Sequence, residues 1–145
     1  MAADLVFVDT NVLVYANQEL AEFHERASAR LIDLDQPGTP LWVGRQILRE
    51  YLAVITRQHG RGAALTAPFA VGRVRQFASL FGVAEDGPEV TKILLDLPAR
   101  FPTAGRQVHD ANIVATMLAH RINRLLTFNT ADFKRFSGLI RLEPV

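Results

Sequence analysis

Short apolar runs alternate with helical segments along the chain, and this alternation constrains the fold more than any single residue does. The first run follows Asp4, is rich in β-branched and aromatic residues, and ends at Val8, which predicts a buried strand. Strands that are joined by helices pair in parallel, and a parallel sheet is covered by helices on both faces. We therefore predict an α/β fold with strands at residues 4–8, 41–43, 83–84, 125–128 and 139–142.

The helices predicted between these strands carry their own start signals. Thr10 or Asn11 is expected to cap the first helix and Thr66 the fourth, because short polar side chains bind the free backbone N–H groups there. No repeat, low-complexity tract or linker interrupts the pattern, so residues 1–145 are expected to form one domain. The predicted helices span residues 12–16, 22–34, 45–58, 66–81, 88–99, 109–120 and 132–136.

Composition narrows the class of protein. Of the 145 residues, 49% are hydrophobic and 21% are charged, which is typical of a soluble globular domain and not of a disordered chain. A net charge of +1 is too close to zero to indicate nucleic-acid binding by itself. The absence of cysteine excludes disulfides, zinc–thiolate sites and thiol nucleophiles, and fits a reducing cytosol. No apolar stretch approaches the ~20 residues of a membrane span, so we expect a cytoplasmic protein without a membrane segment.

Four acidic residues stand beside segments that otherwise have the pattern of a core: Asp9, Glu50, Asp110 and Asp132. Asp9 directly follows the first strand, at the edge of a parallel sheet where binding sites form. Glu50 falls within the apolar arc of its helix, and no Lys or Arg lies four residues away to pair with it. Taken singly, each acid also has a structural interpretation, as a helix cap, a paired edge residue or a charge favoured by the helix dipole.

Taken together, the four carboxylates indicate a divalent cation. Two carboxylates ~4 Å apart repel by about 4 kcal/mol at an effective dielectric of about 20, so several in one pocket need a counter-charge. Oxygen ligands, without cysteine and without a pair of histidines at metal spacing, suit Mg²⁺ or Mn²⁺ rather than Zn²⁺. Such ions activate water and neutralise charge on a reacting phosphate. The predicted chemistry is therefore metal-dependent hydrolysis of a phosphodiester.

The four acids lie in sequence blocks that resemble those of PIN-domain nucleases, and most closely the VapC-type toxins of toxin–antitoxin pairs. The blocks follow the family's order and together extend over almost the whole chain. The resemblance implies a three-layer α/β/α sandwich with a mostly parallel sheet, and Mg²⁺- or Mn²⁺-dependent endoribonuclease activity on structured RNA. The blocks are VFVDTNVL from Val6, ILREYL from Ile47, HDANIVA from His109 and LTFNTADF from Leu126.

The same resemblance implies roles for individual residues. Asp9 and Asp110 would be the main metal ligands, and Glu50 would bind the metal or position its water. Asp132 is favoured as the fourth acid, although in some members the acid stands where Asn129 stands here. A homodimer is expected, as is a VapB-type antitoxin whose C-terminal segment wraps the toxin and can place an arginine among the acids. The supporting polar groups would be Thr10, Asn11, Thr127 and Asn129.

Two further questions stay open at the level of the sequence. Arg57 and Arg61 flank a glycine-rich turn and are candidates to bind RNA phosphates, although a solvated helix end is the alternative. A catalytically silent PIN-fold module that binds RNA or protein is the competing function, but such proteins usually lack one or more site acids, and all four are present here. A haloacid-dehalogenase-like phosphatase also places an Asp after its first strand, but it needs a second acid where Asn11 stands.

Overall fold

A parallel five-stranded sheet forms the centre of the computed structural model, which describes residues 4–57 and 66–145. All four pairs of neighbouring strands run parallel. The predicted fold class, an α/β sandwich with a mostly parallel sheet, is confirmed. The strands are β1 (Val6–Val8), β2 (Leu41–Gly44), β3 (Gly82–Ala84), β4 (Arg124–Thr127) and β5 (Arg141–Pro144), and they lie side by side in the order β3-β2-β1-β4-β5.

Helices connect these strands and form the two outer layers. Because crossovers between parallel strands are right-handed, the helices before β3 cover one face of the sheet and the later helices cover the other. The helix contacts agree: α1 packs on α2 and α3, and α3 packs on α4, whereas α6 packs on α5 and α7. Among the described residues the helices are α1 (Thr10–Ala16), α2 (His24–Leu34), α3 (Arg45–Arg57), α4 (Ala67–Leu80), α5 (Pro88–Arg100), α6 (Gln107–Ala119) and α7 (Thr130–Phe133).

The core surrounds β1, which is the central strand. Phe7 is 1% exposed and Val8 is fully buried, as expected for a strand that helices cover on both faces. Tyr51 of α3 and Met117 of α6 are also fully buried. Any side chain at the carboxyl end of β1 is therefore held by a packed interior rather than by a surface loop.

Thr10 and Asn11, the caps predicted for the first helix, are wrong, whereas the structural interpretation of Asp9 as a helix cap is confirmed. Neither Thr10 nor Asn11 is the cap; Asp9 is, with extended backbone angles (φ −75°, ψ 156°) and a side chain that accepts a hydrogen bond from the Thr10 N–H. The helix therefore begins two residues earlier than residue 12, immediately after the strand. A carboxylate is a good cap because it accepts backbone N–H groups at the positive end of the helix dipole.

The last strand is also displaced from its prediction at residues 139–142. It lies at Arg141–Pro144, because the N–H groups of Leu139 and Ile140 both donate to the carbonyl of Phe136 and so form the turn that follows the 3₁₀ helix Lys134–Phe136. Four other starts move by two residues: β1 begins at Val6, and α2, α6 and α7 begin at His24, Gln107 and Thr130. The α-helical part of α7 also ends at Phe133, and a 3₁₀ helix over Lys134–Phe136 continues it. The predicted end of α3 at residue 58 lies outside the described residues.

The strand order reverses between β1 and β4, since one half of the sheet grows from β1 towards β3 and the other from β4 towards β5. Sites in open α/β sheets form in the crevice at the carboxyl ends of the strands where the order reverses. Here those ends are Val8, followed by Asp9, and Thr127. In the described part of the chain, no helix is both long enough and apolar enough to cross a membrane.

Candidate active site

Asp9 carries a carboxylate from the end of β1 into the interior, where it is only 6% exposed. Its Oδ1 accepts a hydrogen bond from the Thr10 N–H at 2.8 Å. Its Oδ2 accepts one from the Thr127 hydroxyl at 2.7 Å and one from the Asn11 amide at 3.3 Å. The Thr127 bond spans the reversal point from β4 to β1. Hydrogen bonds of this kind compensate in part for burying the charge.

Glu50 reaches the same place from α3 and is partly buried. Its Oε2 accepts a hydrogen bond from the Thr10 hydroxyl at 2.6 Å, which joins it to the residue beside Asp9. Its Oε1 accepts a hydrogen bond from the Gln46 amide at 2.7 Å. Thus a neutral amide four residues earlier, and not a Lys or Arg, is the helical partner of this carboxylate.

Asp110 and Asp132 approach the site from the other side of the sheet. Asp110 lies in the first turn of α6 and is partly buried, and no described residue donates a hydrogen bond to its carboxylate. Asp132 lies in the short α7 and is exposed. Glu50 and Asp110 are both partly buried, and the Asp110 carboxylate is the less constrained of the two.

The supporting polar residues connect the loops around Asp9. Asn11 donates to Asp9 through its amide and accepts from the Phe128 N–H at 3.2 Å through its Oδ1. The fully buried Thr127 hydroxyl donates to Asp9 and accepts from the Asn129 N–H at 3.0 Å. The Asn129 side chain is exposed and lines the same cleft as the acids. The chain after β4 is therefore fastened to the chain after β1 by side-chain hydrogen bonds.

Burial and mutual repulsion shift the protonation of the acids. Burial is the main cause that raises the pKa of Asp9 from 3.8 to about 6, and the charges of Glu50 and Asp110 raise it further, while the Thr127 hydrogen bond opposes them. Burial also raises the pKa of Asp110, followed by the charges of Asp132 and Glu50. The four carboxylates therefore act on one another electrostatically, as side chains in one site do.

All four acids line a single cleft of about 1240 Å³. Thr10, Asn11 and Asn129 also line it, while Thr127 lies beneath Asp9 and does not. Of the two arginines predicted to bind RNA, Arg57 lies on the cleft wall, and Arg61 falls outside the described residues.

The donor chemistry of the cleft fits a hard divalent cation. Within residues 4–57 and 66–145, no three acidic, histidine or cysteine side chains converge closely enough to hold a metal ion as they stand. The cleft nevertheless offers carboxylate oxygens of the type that Mg²⁺ and Mn²⁺ prefer. A cation would also offset the burial and repulsion that now raise the pKa values of Asp9 and Asp110. The acids therefore fit such an ion in their chemistry, and the Asp110 carboxylate, which no described donor restrains, is the one least fixed in its position.

Two residues of this site were not identified from the sequence. Gln46 is 7% exposed and donates both to Glu50 and, at 2.9 Å, to the backbone carbonyl of His109. Asn112 donates to the Gln46 side-chain oxygen at 2.9 Å. The available signal was the spacing of Gln46, four residues before an acid on an apolar helical arc, which places the two side chains side by side.

A buried carboxylate at the reversal point of a parallel sheet, joined in one cleft by three further acids, defines a nuclease-like α/β site. The PIN domain family model matches residues 6–139, so the chain belongs to the PIN domain family. The family expected from the sequence blocks is thus confirmed. No curated protein matches the chain.

Solved structures of toxin–antitoxin proteins share the fold. VapC20 of Mycobacterium tuberculosis, described as a toxin that cleaves the sarcin–ricin loop, aligns with a TM-score of 0.71 at 18% identity over 96% of this chain and 99% of that one. VapBC2 of Rickettsia felis, bound to promoter DNA, aligns with a TM-score of 0.70 at 18% identity, over 97% of this chain and 98% of that one. VapBC-1 of Haemophilus influenzae aligns with a TM-score of 0.66 at 14% identity, over 97% of each chain. At these identities the similarity shows a common fold.

The raised pKa of Asp9 predicts that the ion-free protein loses stability as the pH rises from about 4 to about 7. The folded carboxyl titrates at about 6 and the ordinary one at 3.8, so between these values the folded state holds more protons than the unfolded state. The stability that this protonation provides is lost as the pH rises through about 6. In denaturant titrations with a chelator, Asp9 should contribute a fall of up to about 3 kcal/mol in the free energy of unfolding.

The matched variants isolate this contribution. Asp9→Asn should flatten the fall between about pH 4 and about pH 7, because the amide does not titrate. Asp96→Asn, at an exposed position on α5, should leave it unchanged. An equally steep fall in Asp9→Asn and in the unmodified protein would contradict the assignment.

Proposed function

We propose that the chain is an endoribonuclease toxin that depends on Mg²⁺ or Mn²⁺ and cuts structured RNA in the cytoplasm. Residues 1–145 would act as one nuclease domain. The observation that carries the proposal is the hydrogen-bonded joining of Asp9 and Glu50 through Thr10, in one cleft with Asp110, at the reversal point of a PIN fold. The VapC20 structure supports the choice of RNA, since that protein is described as cleaving an RNA loop.

In this proposal each acid has a distinct part. Asp9, Glu50 and Asp110 would hold the ion, with Asp9 fixed most firmly because three hydrogen bonds restrain it. When bound, the ion would activate a water molecule and stabilise the charge that develops on the phosphate. Thr10 would keep the Glu50 carboxylate turned towards Asp9. Asp132, exposed at the rim, would take the fourth position, and Asn129 is the alternative occupant.

Removing the charge of a central acid should abolish cleavage. We expect Asp9→Asn, Glu50→Gln and Asp110→Asn each to lower the rate of RNA cleavage with Mg²⁺ or Mn²⁺ by about 100-fold or more. Sequencing the 5′ ends of RNA cut in cells that express the protein, compared with Asp9→Asn, measures the effect and identifies the target. Asp96→Asn is the control for an unrelated charge change. Full activity in Asp9→Asn would refute the proposal.

The same assay distinguishes the remaining alternatives. If Asp132→Asn loses more RNA cleavage than Asn129→Ala does, the fourth position belongs to Asp132. The reverse result assigns the position to Asn129. For the function as a whole, a folded protein that cuts no RNA and gains no thermal stability from millimolar Mn²⁺ would favour the silent interaction module, because a bound ion must stabilise the folded state.

We also propose that RNA phosphates bind along an arginine-lined wall of the cleft. Arg57 at the end of α3 and Arg106 before α6 are exposed there. Arg73 of α4 lies over the Phe69 ring, with its guanidinium carbon 5.2 Å from the ring centroid. Its buried Nε has no hydrogen-bond partner among the described residues. These cations would hold the backbone of a polyanion on either side of the acids, where carboxylates alone would repel it.

The salt dependence of RNA binding tests this wall. In a cleavage-inactive Asp9→Asn background, Arg73→Ala and Arg106→Ala should each reduce the slope of log affinity against log salt by roughly 0.7, the value for one phosphate contact to a single strand. Arg75→Ala is a closely matched control, because Arg75 is exposed on the same helix but does not line the cleft. Equal slopes for Arg73→Ala and Arg75→Ala would place the phosphates elsewhere.

We propose in addition that a small VapB-type antitoxin neutralises the toxin and that the toxin forms a homodimer. The support is the VapBC complexes that share the fold and an acidic cleft that suits an inserted arginine. Coexpression with the product of an adjacent short reading frame should yield a copurifying complex in which RNA cleavage is suppressed. A toxin that stays monomeric in sedimentation experiments, or that no such product binds, would contradict the corresponding half of this proposal.

A further inference from the structure

We infer that Gln46 is a positioning residue that fixes the Glu50 carboxylate relative to the start of α6. Asn112 in turn sets the direction of the Gln46 amide. The inference rests on the proposed function in one respect, since it assigns these residues to the geometry of the proposed metal site. Neither residue carries a charge, and neither lines the cleft. Their role would be exerted through Glu50.

Gln46 joins two helices that supply different acids. It lies on α3, one helical turn before Glu50, and its Nε2 donates to Glu50 Oε1 at 2.7 Å. The same nitrogen donates to the backbone carbonyl of His109 at 2.9 Å, and His109 directly precedes Asp110 on α6. One buried amide nitrogen therefore spans the gap between the carboxylate of Glu50 and the backbone beside Asp110.

Asn112 determines which way the Gln46 amide points. An amide has one donating and one accepting end, and its direction follows from its partners. Asn112 Nδ2 can only donate, and it lies 2.9 Å from Gln46 Oε1. The donating end of Gln46 is thereby turned towards Glu50. Asn112 Nδ2 also lies 3.2 Å from the Asp86 carboxylate, which restrains Asn112 in turn.

The two oxygens of Glu50 are thus held from opposite sides. Thr10 donates to Oε2 from the chain segment that follows Asp9, and Gln46 donates to Oε1 from the side of Asp110. Without Gln46, Glu50 would remain attached to the Asp9 segment alone, and its carboxylate could turn about that bond. Ion binding would then require Glu50 to be ordered at the moment of binding, which weakens affinity.

Direct measurement of Mn²⁺ binding without RNA tests the inference. Gln46→Met keeps the length of the side chain but removes its amide, and it should weaken Mn²⁺ binding in calorimetric titrations about tenfold, which corresponds to about 1.4 kcal/mol. Asn112→Ala should change affinity in the same direction by a smaller factor. Gln36→Met is the control, because Gln36 is an exposed glutamine in the connection before β2, at the opposite end of that strand from Gln46.

The kinetic result separates positioning from packing. With RNA as substrate, loss of positioning should lower kcat and raise the Mn²⁺ requirement while the KM for RNA stays within about twofold. A Gln46→Met protein that unfolds at a lower temperature but binds Mn²⁺ as tightly as the unmodified protein would show that Gln46 only packs, and would overturn the inference. Asn112→Ala, which leaves the Gln46 side chain in place, provides the same comparison should Gln46→Met fail to fold.

A double-mutant cycle tests the hydrogen bond between Gln46 and Glu50 independently of nuclease activity. In the ion-free protein, the loss of melting temperature in Gln46→Met combined with Glu50→Ala should be clearly smaller than the sum of the two single losses, because both changes remove the same hydrogen bond. Additive losses of melting temperature would show that Gln46 does not stabilise Glu50, and would overturn the inference. If the unmodified protein neither binds Mn²⁺ nor cuts RNA, the proposed function fails, and the cycle still decides whether Gln46 holds Glu50.

Discussion

The hydrogen bond from the Thr127 hydroxyl to the Asp9 carboxylate is the interaction on which the site depends. It joins β4 to β1 at the one place where the strand order reverses. Asp9 could not remain charged in this interior without donors, because an isolated buried carboxylate is strongly disfavoured. Even with donors, burial dominates and raises the pKa of Asp9 to about 6. The fold thus holds this carboxylate at a cost that a bound cation would offset.

The acids differ in how firmly the protein restrains them. Asp9 is fixed by hydrogen bonds from two elements, and Glu50 is held through Thr10 and Gln46. Asp110 accepts no hydrogen bond from any described residue, although it is partly buried. On the proposed function, Asp9 and Glu50 would be preorganised and Asp110 would be the ligand that moves to meet the ion. A fully closed ring of carboxylates would be costly to hold together without the ion, because like charges repel strongly at short range.

Much of the fold follows from the sequence because the apolar pattern is strong where the core is deepest. β1 is a continuous apolar run, and it is covered on both faces as its composition predicts. The end of the chain is less predictable, since residues 139–140 are apolar enough for a strand but belong to the turn whose N–H groups bind the Phe136 carbonyl. Local hydrogen bonding determines where this last strand begins, and the hydrophobic pattern of the sequence does not predict it.

The acids of the candidate site could be picked out from the sequence because a charge stands out against an apolar background. Asp9, Glu50 and Asp110 attract notice because each interrupts or adjoins a buried segment. Gln46 and Asn112 did not, because a neutral amide attracts less notice than a charge; the spacing of Gln46 from Glu50 was the one available signal. Their importance depends on the distance between α3 and α6, which only tertiary packing determines. Asp9 caps α1, as its structural interpretation allowed, and the same side chain lines the cleft of the candidate site.

On the proposed function, ion binding and RNA binding rest on different parts of the molecule. Asp9 and Thr127 belong to the central strands and their ends, and both are buried. Arg57 and Arg106 lie at helix ends, exposed, where a substitution disturbs little packing. Changes to the arginine-lined wall could therefore alter which RNA is held without disturbing the acids, whereas any change beneath Asp9 affects the core as well.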